Sequence, residues 1–369
     1  MKNPKLSIAF VLLTALCVTA SDMMAQTITT PRNASPAGKV SQTVGISKVT
    51  IKYSRPSVRG REIWGKLVPY GMNNLGFGTA TASPWRAGAN ENTTITFSHD
   101  AKIEGKDIAA GTYGLHIDVK EGGNEATLIL SNNSSSWGSY FYDEKEDALR
   151  VGIKTEEIPM TETLTYNFVN MTPTSATAAL DWEKKRFPFK VEFDVHDIVL
   201  ANASDELRSV TGFGWQGPLS AAQYCLQNDV HLDKAMAWAD QSIATQANFQ
   251  NRSVKAQILA KQGKVEEGKT LMKKALDDPS ANANNYYAYG RQLIGLDMDE
   301  EAMEVFEKLN KKWPDHWLAP HGLARGYSAL GDYKKALKHE RIALEKAPQG
   351  SKQFLQGYVE TLEAGKDFN

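Results

Sequence analysis

Cysteine is nearly missing from this chain: among 369 residues only Cys17 and Cys225 carry a thiol. Cys17 falls in an N-terminal segment with the marks of an export signal, so the mature chain keeps one thiol and forms no internal disulfide. The fold must therefore stand on its apolar core. Long hydrophobic runs are lacking as well. The most apolar stretch, Leu6 to Val18, is shorter than the ~20 apolar residues a transmembrane helix needs, so no membrane span is expected. Nor is there a surplus of either charge: 42 basic residues stand against 43 acidic ones, for a formal charge of −1. Nothing in that balance attracts a polyanion, which excludes nucleic acid as the expected partner.

What is present begins with Lys2 and Lys5, the apolar run, and small residues at Ala20 and Ala25. This is the pattern of a secretory signal peptide over residues 1–25, with cleavage after either alanine. Cleavage after Ala25 leaves Gln26 first, with 40 basic and 42 acidic residues. Leu16 stands where lipid attachment to Cys17 would want a small residue, so lipoprotein anchoring is not expected. The expected destination is the periplasm or cell envelope, across the inner membrane.

From about Lys48 to Val195 the apolar residues alternate with a period of two: Val49, Ile51, Tyr53; Tyr113, Leu115, Ile117; Leu164, Tyr166, Phe168; Ala176, Ala178, Leu180, Trp182; and Phe187, Phe189, Val191, Phe193, Val195. Turn formers separate the runs and no helix-length periodicity intervenes. That predicts antiparallel pairing in a sandwich or flattened barrel, and we take the sandwich, spanning residues 26–196. Pro188 and Lys190 suit an edge strand. After Val195 the period moves toward 3.6. A short helix and a Gly-rich linker are expected over residues 197–218, followed by helices to residue 369. There Gly263, Asp297 and Gly331 recur every 34 residues, as do Gly268, Ala302 and Ala336, and Pro314 with Pro348. This is the spacing of tetratricopeptide repeats, predicting an all-α array of about four hairpins and a final helix near Lys352 to Ala364. The first hairpin, with Ala235 and Trp238, sits one residue off the spacing.

The densest chemistry lies between Tyr53 and Glu91. Trp85-Arg86-Ala-Gly-Ala-Asn90-Glu91 supplies a flat apolar face, a planar cation, a glycine, an amide and a carboxylate. Those are the parts of a pocket for a small polar or glycan ligand, a sugar or a carboxylate-bearing molecule: the ring stacks while Arg86 and Asn90 orient. The structural alternative is an Arg86–Glu91 ion pair bracing a long loop, with Trp64 and Trp85 in the core. Arg55, Trp64, Tyr70, Trp85, Arg86, Asn90 and Glu91 are the ligand-binding candidates. The loop Asn132 to Trp137 either rims the same pocket or covers the sheet edge.

Other motifs are set aside on physical grounds. Gly212-Phe-Gly214-Trp-Gln-Gly217 matches a dinucleotide fingerprint by letter but follows no buried parallel strand. His116 with Asp118, and Asp194 with His196 and Asp197, lack a third and fourth ligand at metal-binding spacing, and solvated surface is expected for both. No metal, no cofactor and no catalytic residue is assigned.

Arg55-Pro56, Gly60-Arg61, Ile63-Trp64-Gly65, Leu67-Val68-Pro69-Tyr70-Gly71 and Trp85-Arg86-Ala-Gly-Ala-Asn90-Glu91 together resemble a bacterial envelope family called domain of unknown function 2911, over about residues 26–200. Ala110-Gly111-Thr112-Tyr113, Trp137-Gly138 and Asp181-Trp182-Glu183 fit in the same order, and Trp215-Gln216 with Ala221 to Cys225 extend the likeness into the helices. The resemblance implies an exported protein of the kind seen mainly in Bacteroidetes, and it implies no chemistry. One departure is that many members pass from Pro-Tyr-Gly to Trp-Arg within a few residues, whereas Met72 to Pro84 intervene here. The function expected is a non-catalytic binding or scaffold protein, with a ligand or envelope-component site on the sandwich and a protein partner on the repeats. The balance is against an enzyme. The alternative is a hydrolase of glycans or another envelope polymer using Glu91 as acid or base and Arg86 as anion stabiliser.

Overall fold

The computed structural model describes residues 34–369, which divide into two compact units between Ile198 and Val199. The expected export signal, with Cys17 and both cleavage alternatives, lies outside the described residues.

In the first unit β1 (Ala37–Val44) and β2 (Ser47–Ser54) form a hairpin, turning at Gly45 with φ +59°. β3 (Thr94–Phe97), β6 (Gly111–Val119), β7 (Glu125–Ser131) and β8 (Asp147–Lys154) complete a six-stranded sheet in the order β1-β2-β3-β6-β7-β8. The second sheet is β5-β4-β10-β9, from β4 (Ala101–Ile103), β5 (Lys106–Ile108), β9 (Glu156–Val169) and β10 (Ser175–Glu192). Every strand pairing in both sheets is antiparallel. The alternation seen in the sequence is the alternation of burial: Val49, Ile51 and Tyr53 are buried while Lys48 and Lys52 are exposed. Tyr53 of one sheet meets Tyr166 of the other edge to face at 4.7 Å, as expected of a sandwich core.

Three expectations need correction. The two apolar runs read as separate strands are one strand, β10, interrupted by register shifts on either side of Glu183, whose φ is +54°. This bulge changes the phase of burial, from Leu180 and Trp182 before it to Phe187, Phe189 and Val191 after it. Secondly, β10 lies between β4 and β9 rather than at an edge. Pro188 is tolerated because the ladder to β9 spans Thr177 to Arg186 and that to β4 begins at Val191, so its missing N–H breaks neither. Thirdly, Val195 opens a helix, α1 (Val195–Glu206), instead of closing a strand.

The Gly-rich connection is divided between a 3-10 turn at Val210–Gly212 and the first turn of α2 (Gln216–Asn228). A Cβ on Gly212 would fall 1.8 Å from the Leu207 carbonyl oxygen, so this glycine serves a close backbone approach. Four hairpins follow: α2 with α3 (Leu232–Thr245), α4 (Phe249–Lys261) with α5 (Val265–Leu276), α6 (Ala283–Ile294) with α7 (Asp299–Lys312), and α8 (Leu318–Ala329) with α9 (Tyr333–Lys346). α10 (Gln349–Glu363) is the final helix.

The 34-residue period has a conformational cause. Asp229, Gly263, Asp297, Gly331 and Gly365 all adopt positive φ, from +56° to +80°, at the end of the first helix of each pair and of α10. Aspartate substitutes for glycine because it tolerates the left-handed region. The first hairpin carries a second left-handed residue, His231 at φ +47°, before α3, and this extra turn residue accounts for its displaced register. Asn248 and Asn282, also 34 apart, open α4 and α6 with reciprocal capping boxes to Asn251 and Asn285. Phe306 is fully buried where Gly290 and Gly322 leave room for its ring. Among the described residues no helix is long and apolar enough to cross a membrane.

Candidate functional site

The loop from Arg55 to Thr93 joins β2 to β3. It is held to the six-stranded sheet by a two-way bridge in which Trp85 N donates to Ile117 O at 3.0 Å and Ile117 N to Trp85 O at 2.8 Å. The Trp85 indole is thereby set against Trp182 of β10, near parallel at 5.8 Å, and against Trp64 edge to face at 5.7 Å. Past Trp85 the backbone turns through left-handed conformations at Ala87 (φ +47°) and Asn90 (φ +60°). The Ala87 carbonyl accepts hydrogen bonds from Tyr166 Oη and Thr93 Oγ1, fixing the turn to both sheets.

This turn forms one wall of a cavity of about 540 Å³. Trp85, Arg86 and Asn90 line it, opposite Trp137, Ser139 and Tyr140 of the loop after β7, with Arg61 and Trp182 completing the polar and aromatic lining. Arg86 Nη1 donates to the Asn90 carbonyl at 2.6 Å, and its guanidinium lies over the Tyr140 ring at 4.8 Å. Gly138 makes this possible, since a Cβ there would lie 2.2 Å from Arg86 Cζ. Arg61 donates to the Val58 and Ser57 carbonyls. Among the described residues neither arginine has a carboxylate partner, and no aspartate or glutamate lines the cavity. Trp182 adds a buried indole N–H with no acceptor among the described residues. The Met72 to Pro84 insertion is part of the construction: Asn73, Leu75, Ser83 and Pro84 line the cavity, and Phe77 packs on Tyr140 at 5.3 Å.

The seven candidates therefore separate. Trp85, Arg86 and Asn90 converge on the cavity. Trp64 belongs to the aromatic cluster behind it, with its Nε1 donating to Glu183 at 3.1 Å. Tyr70 packs over Gly65. Arg55 staples the end of β2 to β9, donating to Leu164 O at 3.0 Å and Thr165 Oγ1 at 2.7 Å. Glu91 accepts from Ser54 Oγ at 3.2 Å and lines a separate pocket of about 530 Å³ with Lys52 and Tyr53. The Arg86–Glu91 ion pair considered as a brace is not formed. Arg61, Ser139, Tyr140 and Trp182 are not among the candidates, although the Trp137-Gly138 pair lies in the loop that carries Ser139 and Tyr140.

The expectation of a solvated His116 and Asp118 is also corrected. His116 is 2 % exposed, with Nδ1 3.2 Å from Ser139 Oγ, and Asp118 is buried beside Lys120. Burial, and secondly the Arg86 charge, push the His116 pKa down to about 4, so at neutral pH this imidazole adds no positive charge beside the cavity. Among the described residues no group of three or more His, Cys, Asp or Glu side chains is arranged to hold a metal.

With this geometry in place, the comparison with protein families is specific. Residues 35–191 match the family described as Protein of unknown function (DUF2911). The matched region runs from two residues before β1 to the penultimate residue of β10, so it contains the entire cavity wall just described. The helical region is similar to solved tetratricopeptide repeat structures. TTC0263, a thermophilic TPR protein in Thermus thermophilus, is 16% identical, over 46% of this chain and 91% of that one, with a TM-score of 0.33. YrrB, described as a TPR protein with an unusual peptide-binding site, is 15% identical, over 41% and 78%, at 0.29. MamA is 15% identical, over 41% and 88%, at 0.33. A comparison with curated proteins finds no match.

Proposed function

We propose that this protein is an exported, non-catalytic binding scaffold. Its DUF2911 unit holds a small anionic polar ligand, such as an acidic sugar of an envelope glycan, and its helical repeats dock a protein partner. The observation that carries the ligand half is Arg86: a half-buried cation, held in place from two sides, lining a cavity to which no aspartate or glutamate among the described residues contributes. Such a group is completed by a carboxylate or phosphate, and the aromatic walls supply the flat faces on which a sugar ring stacks. The export half is supported by the sequence of residues 1–25. Glu91 lies outside the cavity and has Ser54 as hydrogen-bond donor, so the hydrolase alternative gains no support from the geometry.

The test is a paired titration of the full chain with galacturonate and galactose, read by tryptophan fluorescence. Trp85 and Trp182 lie in the cavity wall and report on it directly. Binding of the charged sugar and not the neutral one supports the reading. Equal response to both, or response to neither across a set of uronic acids and sugar phosphates, overturns it.

A further inference from the structure

After α10, Gly365 takes φ +67° and turns the chain back, so that Asp367, Phe368 and Asn369 run as an extended segment along α8. The contacts are those by which a peptide is read. Ser328 Oγ donates to Asp367 Oδ1 at 2.5 Å and accepts from Phe368 N at 3.4 Å. Arg325 Nη1 donates to Asn369 Oδ1 at 3.2 Å, while Asn369 Nδ2 donates to the Arg325 carbonyl at 3.1 Å. The Phe368 ring enters an aromatic box, 4.9 Å from Tyr358 and 6.1 Å from His321, with the Arg325 guanidinium 5.0 Å above it. Arg325 is in turn held by Tyr287 Oη at 2.8 Å. Tyr287, Arg325 and Tyr358 stand on α6, α8 and α10, which begin successive repeat units and so share one face of the array.

Arg325 is only 5 % exposed and, among the described residues, has no carboxylate partner; the tail offers it a neutral amide instead. We infer that residues 367–369 are a latch, occupying in cis a docking site whose partner in trans is an extended peptide with an aromatic residue followed by an acidic one. Such a peptide keeps the ring in the box and replaces the Asn369 amide by a carboxylate, turning the cation–amide hydrogen bond of Arg325 into an ion pair between guanidinium and carboxylate. Displacement is feasible because the hydrogen bonds that hold the latch to α8 come from Asp367, Phe368 and Asn369 and go to two residues, Arg325 and Ser328, which an entering segment can engage in their place.

The inference rests on the partner-docking half of the proposed function, and the two fail separately: an array that captures a partner equally with and without residues 367–369 keeps that reading and loses the latch. The experiment is fluorescence polarisation of two fluorescein-labelled, C-terminally amidated peptides, Gly-Lys-Asp-Phe-Asn and Gly-Lys-Asp-Phe-Asp, with the full chain and its Phe368→Ala variant. A site occupied in cis lowers apparent affinity by the fraction of time it is open. The acidic peptide should bind Phe368→Ala at least about tenfold more tightly than the unaltered chain and more tightly than the amide peptide, and adding Arg325→Ala should remove binding. Equal affinity for both chains, or no binding to a Phe368→Ala chain that retains its helical circular dichroism, overturns the latch. Loss of that helical signal both in Phe368→Ala and in a chain lacking residues 367–369 overturns it too, because the segment would then be an integral part of the fold.

Discussion

The guanidinium of Arg86 rests on the face of Tyr140, 4.8 Å from the ring centroid, while its Nη1 is tied to the carbonyl of Asn90 at 2.6 Å. These two contacts come from loops about fifty residues apart in sequence, and together they hold a cation at the cavity wall without neutralising it. Replacing Arg86 by alanine should therefore leave the fold intact and weaken an acidic-sugar ligand by about 10- to 100-fold, the range of one charge-assisted hydrogen bond, roughly 1.5–3 kcal/mol. Arg86→Lys keeps the charge but loses the planar fork, and should recover only part of the affinity. Fluorescence titration of the three proteins checks both.

Gly138 offers a way to move Arg86 without touching it. It has φ +60°, and an added Cβ would meet the mobile end of the Arg86 side chain rather than fixed backbone. Gly138→Ala should push the guanidinium off Tyr140 and lose the ligand much as Arg86→Ala does, at a stability cost of only about 1 kcal/mol for the backbone conformation. Chemical denaturation alongside ligand titration separates the two effects.

Arg55 predicts the converse. Its two hydrogen bonds to β9 are structural, and it does not line the cavity. Arg55→Ala should destabilise the sandwich by about 1–3 kcal/mol and leave ligand affinity unchanged, as read by urea unfolding and by the same titration.

His116 gives the first unit an acid sensitivity. Its folded pKa is depressed to about 4 while an unfolded histidine titrates near 6.5, so between those values the unfolded chain binds more protons. Stability from this group is present above pH ~6.5 and is lost as pH falls toward about 4, by on the order of 3 kcal/mol. The melting temperature of the sandwich should fall across that window, and less steeply in His116→Gln.

In the helical unit the packing of Phe306 is the sharpest target. A Cβ on Gly290 would lie 2.4 Å from its ring and one on Gly322 2.5 Å, and the fully buried ring has nowhere to go. Each glycine-to-alanine change should destabilise the array by about 1–3 kcal/mol, seen as a lower urea midpoint by far-UV circular dichroism.

How much of this was legible in the sequence follows from what each signal depends on. Strand alternation and the 34-residue period are local or repeated, and they identified the two antiparallel sheets and the four hairpins directly. The bulge at Glu183 was hidden because it joins two clean alternating runs whose phases differ by one residue. Arg86 and Glu91 looked like one site because they are five positions apart, yet the turn at Asn90 sends Glu91 to Ser54 and leaves Arg86 at the cavity. Tyr140 was invisible as a site residue because its partnership with Arg86 depends on how two distant loops fold over the sheet, and no local pattern reports that. His116 looked solvated for the same reason: the loop carrying Ser139, which covers it, is not adjacent in sequence.

The most direct test of the ligand site is isothermal titration calorimetry of the full chain, Arg86→Ala and Arg55→Ala with galacturonate and other uronic acids. The account predicts one site per chain, lost or strongly weakened in Arg86→Ala and retained in Arg55→Ala. Binding that survives Arg86→Ala unchanged, or that disappears equally in both folded variants, would contradict it.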